Sequence, residues 1–60
     1  MNKNQVVDIG IYEYSLPTFR KPIFVTVFVK NDELFVEYGK GYAPSSMDEI
    51  PDNAVFSKWI

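Results

Sequence analysis

The chain contains no cysteine and no histidine. The first absence excludes disulfides and thiolate metal sites. The second removes the commonest nitrogen ligand of zinc, copper and iron. Together they also take away the usual thiol and base of nucleophilic catalysis. No apolar run approaches the roughly 18–20 residues that a membrane helix needs. The opening Met1-Asn2-Lys3-Asn4-Gln5 is polar, and Asp8, Gly10 and Glu13 interrupt the apolar residues after it, which is not the pattern of a signal peptide. A chain without disulfides suits a reducing compartment, so a cytoplasmic location is expected.

Charge of one sign is also lacking. Six Lys and Arg stand against eight Asp and Glu, a net charge of -2. That balance gives no overall pull towards nucleic acid or an anionic membrane. What is abundant is apolar surface: 47% of the residues are apolar and 17% aromatic. A chain of that composition folds. Its 60 residues make a single domain spanning 1–60. So short a chain buries only about 60% of the surface its unfolded form exposes, and its core is marginal. With disulfide and thiolate-metal staples excluded, a partner chain or a second copy is the staple left.

Turn residues divide the chain into four pieces. In the first, Gln5 to Tyr14, Val7, Ile9 and Ile11 alternate with Asp8, Gly10 and Tyr12, the period of a strand. Gly10 marks a weak point in it. Ser15 to Pro22 holds two prolines and reads as a loop. Ile23 to Lys30 is almost continuously apolar and β-branched or aromatic, the pattern of a central strand.

Asn31-Asp32 then separates it from a third strand pattern, Glu33 to Tyr38, as a tight hairpin. A two-residue loop sets Lys30 opposite Glu33, Val29 opposite Leu34, Phe28 opposite Phe35, Val27 opposite Val36, Thr26 opposite Glu37 and Val25 opposite Tyr38. Each face is then consistent, and a one-residue slip would mix them. Further on, Ser46 and Glu49 form a capping-box signature that Pro51 cuts short, so a single helical turn is expected from Ser46 to Ile50. Ala54 to Ile60 is either a short last strand on an open edge or an irregular tail whose Phe56 and Trp59 plug the core.

The fold class is therefore mainly β: a small antiparallel sheet of three core strands, with a short fourth or a tail, and one short helical turn. A small β-roll or barrel is the alternative. One face of the sheet gathers Val7, Ile9, Ile11, Ile23, Val25, Val27, Val29, Leu34, Val36 and Tyr38. Met47, Ile50, Val55 or Phe56, and Trp59 are left to cover it. The other face gathers Tyr12, Tyr14, Phe24, Phe28 and Phe35, with Thr26, Glu37 and Lys30 among them. An antiparallel sheet usually keeps one face polar and wet. An aromatic second face instead marks either a sheet curled on itself or a recognition surface.

No constellation of catalytic residues stands out. Ser57-Lys58 is a chance adjacency. Gly39-Lys40-Gly41 lacks the context of a phosphate loop. Asp48, Glu49 and Asp52 read as capping and a solvated acidic turn, without the spacing of an EF-hand. A ligand cleft of about 300 Å³ or more is not expected in so short a chain. No enzyme, metal site or cofactor is expected. The expected function is protein interaction: a regulator or inhibitor of another protein, of the kind that phage and mobile-element genomes encode and that then works in the host cytoplasm, and a homodimer. Its contact residues are Tyr12, Tyr14, Phe24, Phe28, Phe35 and Glu37, with Arg20 and Lys21 on the neighbouring loop. Two further readings stay open. One is a single-stranded nucleic-acid binder using Lys3, Arg20, Lys21 and Lys40. The other is a structural subunit of a larger assembly.

Overall fold

The computed structural model describes residues 1–59. Five strands, β1 (Gly10–Ser15), β2 (Ile23–Lys30), β3 (Glu33–Glu37), β4 (Ser45–Ser46) and β5 (Val55–Lys58), form one open sheet in the order β4-β3-β2-β1-β5. Every neighbouring pair is antiparallel. The protein is thus a small, mainly β domain, with its two 3₁₀ turns at Lys3–Gln5 and Met47–Glu49. β4 and β5 are the two ends of the strand order and do not pair to close a barrel.

The β2–β3 hairpin has the register that its turn dictates: Lys30 faces Glu33, Val29 Leu34, Phe28 Phe35, Val27 Val36 and Thr26 Glu37. Asn31 and Asp32 both adopt positive φ, 54° and 62°, the geometry whose twist matches that of the flanking strands. A side chain pays for this conformation with roughly 1–2 kcal/mol of strain, and glycine does not. Asp32→Gly is therefore expected to raise stability by about 0.5–1 kcal/mol, after allowing for glycine's extra freedom in the unfolded chain. Urea unfolding followed by circular dichroism measures this, and a lower midpoint would count against the turn geometry.

β1 departs from the expected phase. Tyr12 pairs with Val25 and Tyr14 with Ile23, so both tyrosines lie on the same face as Val25, Val27 and Val36. Tyr12 and Tyr14 are 1% and 2% exposed. Ile11 and Glu13 face the other way, while Val7 and Ile9 precede the strand and stay 75% and 61% exposed. The reason is area: a tyrosine ring removes more apolar surface from water than valine or isoleucine. The Tyr12 hydroxyl is also satisfied, donating to the Asp8 carbonyl at 2.9 Å. Val6, not Val7, enters the core.

The covered face is closed by Val6, Met47, Ile50 and Ala54, carried by the N-terminal segment and by the chain crossing from β4 to β5. Asn2 with Gln5, and Ser46 with Glu49, make reciprocal capping boxes around the two 3₁₀ turns, supplying partners for backbone donors that the short turns leave open. Lys3 ties the segments together. Its Nζ donates to the carbonyls of Ile50 at 2.7 Å and Asp48 at 3.2 Å, and lies 3.4 Å from the Asp52 carboxylate. At the outer side of β5 the Met1 amino nitrogen donates to the Phe56 carbonyl, and the Phe56 amide donates to the Met1 carbonyl, each at 2.7 Å.

β5 answers the question left by the C-terminal stretch. It is a strand paired with β1, Tyr14 opposite Phe56 and Tyr12 opposite Lys58. Phe56 points into the core, its ring 5.0 Å from Tyr14 and 5.9 Å from Tyr12. Val55 and Trp59 face outward rather than lidding the core. The last residue of that stretch, at position 60, lies outside the described residues.

Candidate functional site

Alternation along the paired strands assigns the second face. Ile11, Glu13, Phe24, Thr26, Phe28, Lys30, Glu33, Phe35, Glu37, Val55 and Ser57 share it, and Trp59 joins them by packing edge-on against Phe24 at 5.2 Å. Phe28 and Phe35 stack at 5.8 Å with their planes 21° apart. None of the segments that form the core lid crosses this side. Phe24, Val55 and Trp59 are accordingly 53%, 56% and 57% exposed. Antiparallel sheets that face water on one side alternate apolar-in with polar-out. Here four aromatic rings stand among the polar outward positions.

Of the expected contact residues, Phe24, Phe28, Phe35 and Glu37 do lie together on this face. Tyr12 and Tyr14 do not, because their rings form the core beneath the opposite side. Sequence reasoning missed Ile11, Val55 and Trp59. The first followed from the phase of β1. The other two depended on β5 forming, and the alternation from Phe56 outward would have located both.

Arg20 and Lys21 stand apart from that face. They sit in the β1–β2 loop, beside an open cleft lined by Phe19, Ile23, Tyr38 and Tyr42, about 540 Å³ in volume. This corrects the expectation that so short a chain has no ligand-sized cleft. Two bends build it. Leu16 to Phe19 forms a turn, the Phe19 amide donating to the Leu16 carbonyl at 2.9 Å. Gly39 to Tyr42 forms another, closed at 3.3 Å. Gly39 and Gly41 have φ of 129° and 87°, values that only glycine adopts freely. Phe19 and Tyr38 are held in place by Tyr14, each 5.9 Å from its ring.

Burial pushes the Tyr14 hydroxyl up to about 12, and the adjacent Tyr38 reinforces the shift. Burial likewise raises Tyr12, helped by the charge of Asp8 and opposed by its backbone hydrogen bond. The consequence for stability lies at alkaline pH. Below the ordinary value of 10.0, Tyr14 is protonated in both folded and unfolded chains and the stability is at its full value. Above it the unfolded chain gives up this proton first, so stability falls as pH rises towards 12. The loss expected from Tyr14 by a pH of about 11.5 is about 2 kcal/mol. Urea midpoints compared at pH of about 9 and 11.5 measure it, and Tyr14→Phe should flatten the dependence.

The acidic residues do not assemble into a metal centre. Glu49 is engaged in its capping box through the Ser46 amide at 3.1 Å, and Asp52 lies beside Lys3. Among the described residues no three potential ligands gather closely enough to hold a metal ion, and no helix is long and apolar enough to cross a membrane. Comparison with protein-family models, curated proteins and solved structures returns no match.

Proposed function

We propose that the protein acts by binding protein rather than by catalysis, and that the uncovered aromatic face of the sheet is its contact surface. One observation carries this: Ile11, Phe24, Phe28, Phe35, Val55 and Trp59 lie on one side of a sheet whose lid segments all cover the other. A second face that carries six apolar side chains, four of them aromatic, gains by being covered. Contiguous apolar patches of this kind mark recognition sites. Lys30 and Glu33 close one end of the face with charge, as interface rims do, while Glu13 lies within it between Phe24 and Ser57. A role as regulator or inhibitor of another protein is in keeping with such a surface and with a chain that lacks His and Cys.

For the isolated chain the fitting partner is a second copy. A two-fold contact needs only one patch, presented by both subunits. The single Trp of the chain, Trp59, lies on the patch and reports on it directly. Sedimentation velocity over a range of concentrations is expected to show a monomer–dimer equilibrium, and Trp59 emission should move to shorter wavelength in step with it. A chain that stays monomeric with constant emission overturns the proposal. Species larger than a dimer would assign the face to a subunit of a larger assembly instead.

A further inference from the structure

The cleft at the end of the sheet is a second surface, on the side opposite the aromatic face. Its walls are Phe19, Ile23, Tyr38 and Tyr42. The segments that supply them, residues 16–23 and 38–44, contain Arg20, Lys21 and Lys40 and not one of the eight Asp and Glu. Half of the six cations of a net acidic chain therefore lie on the two segments that build this one cleft. All three are exposed. Among the described residues the only ion pair within 4.0 Å is Lys3–Asp52, so these cations have no carboxylate partner among those residues. Tyr42, 72% exposed, stands at the mouth and packs on none of the other rings.

An apolar, aromatic cleft built by two segments whose only charges are positive calls for a ligand of the complementary pattern. We infer that the cleft binds an acidic peptide segment, placing a leucine, proline or aromatic side chain between the rings while flanking carboxylates meet Arg20, Lys21 and Lys40. The volume lies within the range of ligand sites, about 300–1,000 Å³. Its open form suits a segment laid across it rather than an enclosed small molecule. A nucleic-acid strand fits less well. Its continuous phosphates need a basic track, and away from these two segments the chain has eight acids against three cations.

Selection of a displayed library of random peptides on the whole chain tests this. Enriched peptides are expected to carry Asp and Glu around an apolar residue. Their binding, measured by fluorescence anisotropy, should weaken about tenfold or more in Tyr42→Ala, and should also fall in the Arg20→Glu/Lys21→Glu pair and at high salt. Tyr42 is too exposed for its loss to unfold the chain, and thermal melting verifies that. Phe28→Glu, on the opposite side, should leave peptide binding unchanged. Loss of self-association therefore reads the aromatic face, and loss of peptide binding reads the cleft. The inference is overturned by enrichment of basic or uncharged peptides, by binding that survives both cleft variants, or by an oligothymidylate that binds more tightly than the best peptide.

Discussion

Replacing Phe56 by alanine is expected to cost about 3–5 kcal/mol, comparable with the whole stability of a small domain, about 5 kcal/mol at the low end. Phe56 is 1% exposed and packs against both Tyr12 and Tyr14. Removing the ring leaves a cavity between two tyrosines whose own positions are tied to β2 through Val25 and Ile23. Within the sheet the strand that carries it pairs only with β1, and among the described residues its other side is held by Met1 at Phe56 alone. Urea unfolding by circular dichroism should show Phe56→Ala largely unfolded near room temperature, while Phe56→Leu should lose less than about 1.5 kcal/mol. A loss below about 1 kcal/mol for the alanine variant would mean that β5 is not docked as described. The result bears on function, because Val55 and Trp59 reach the aromatic face only through this strand.

Phe28→Glu should act in the opposite way, sparing the fold and abolishing self-association. Phe28 is half-buried, stacked on Phe35 at the outward side of the sheet, so in the monomer a glutamate there remains in water. In a dimer it would be desolvated without a partner, and the stacking surface would be lost as well. Each aromatic taken from water contributes roughly 1.5–3 kcal/mol, and an unpaired buried carboxylate costs further. The dimer dissociation constant is expected to rise by about 100-fold or more. Analytical ultracentrifugation measures the constant, with the urea midpoint as the control for folding. Unchanged association would remove Phe28 from the interface. A monomer that unfolds would show the ring to be part of the core.

The hairpin was the most legible part of the chain. Asn31-Asp32 and the period-two pattern on either side define every pair from Thr26–Glu37 to Lys30–Glu33, because turn length and facial consistency are both local. The helical turn was legible for the same reason: Ser46 and Glu49 cap within a few residues of one another.

The phase of β1 was not legible. Val7, Ile9 and Ile11 on one side and Tyr12 and Tyr14 on the other are two interleaved apolar sets, and alternation says that faces differ without saying which is covered. What decides is non-local: Lys3 anchored at Ile50, Val6 in the core, and Phe56 arriving between the tyrosines. The candidate surface was half legible as a result. Phe24, Phe28, Phe35 and Glu37 followed from the hairpin, whereas Trp59 and Val55 depended on a strand from the far end of the chain. The cleft was invisible because it arises where two separate loops meet. Its trace in the sequence was present all the same: aromatics among Pro, Gly and cations, with no acid inside residues 16–23 or 38–44.

The ends of the strand order have a bearing on how copies of this chain can meet. A bare outer strand offers unpaired amides and carbonyls to any passing backbone and can template fibrillar growth. On β5, Met1 occupies both polar groups of Phe56, and β3 is shielded by β4 opposite Phe35 and Val36. Strand-by-strand accretion is thereby discouraged at both margins, and association is steered towards closed, countable complexes rather than open-ended polymers.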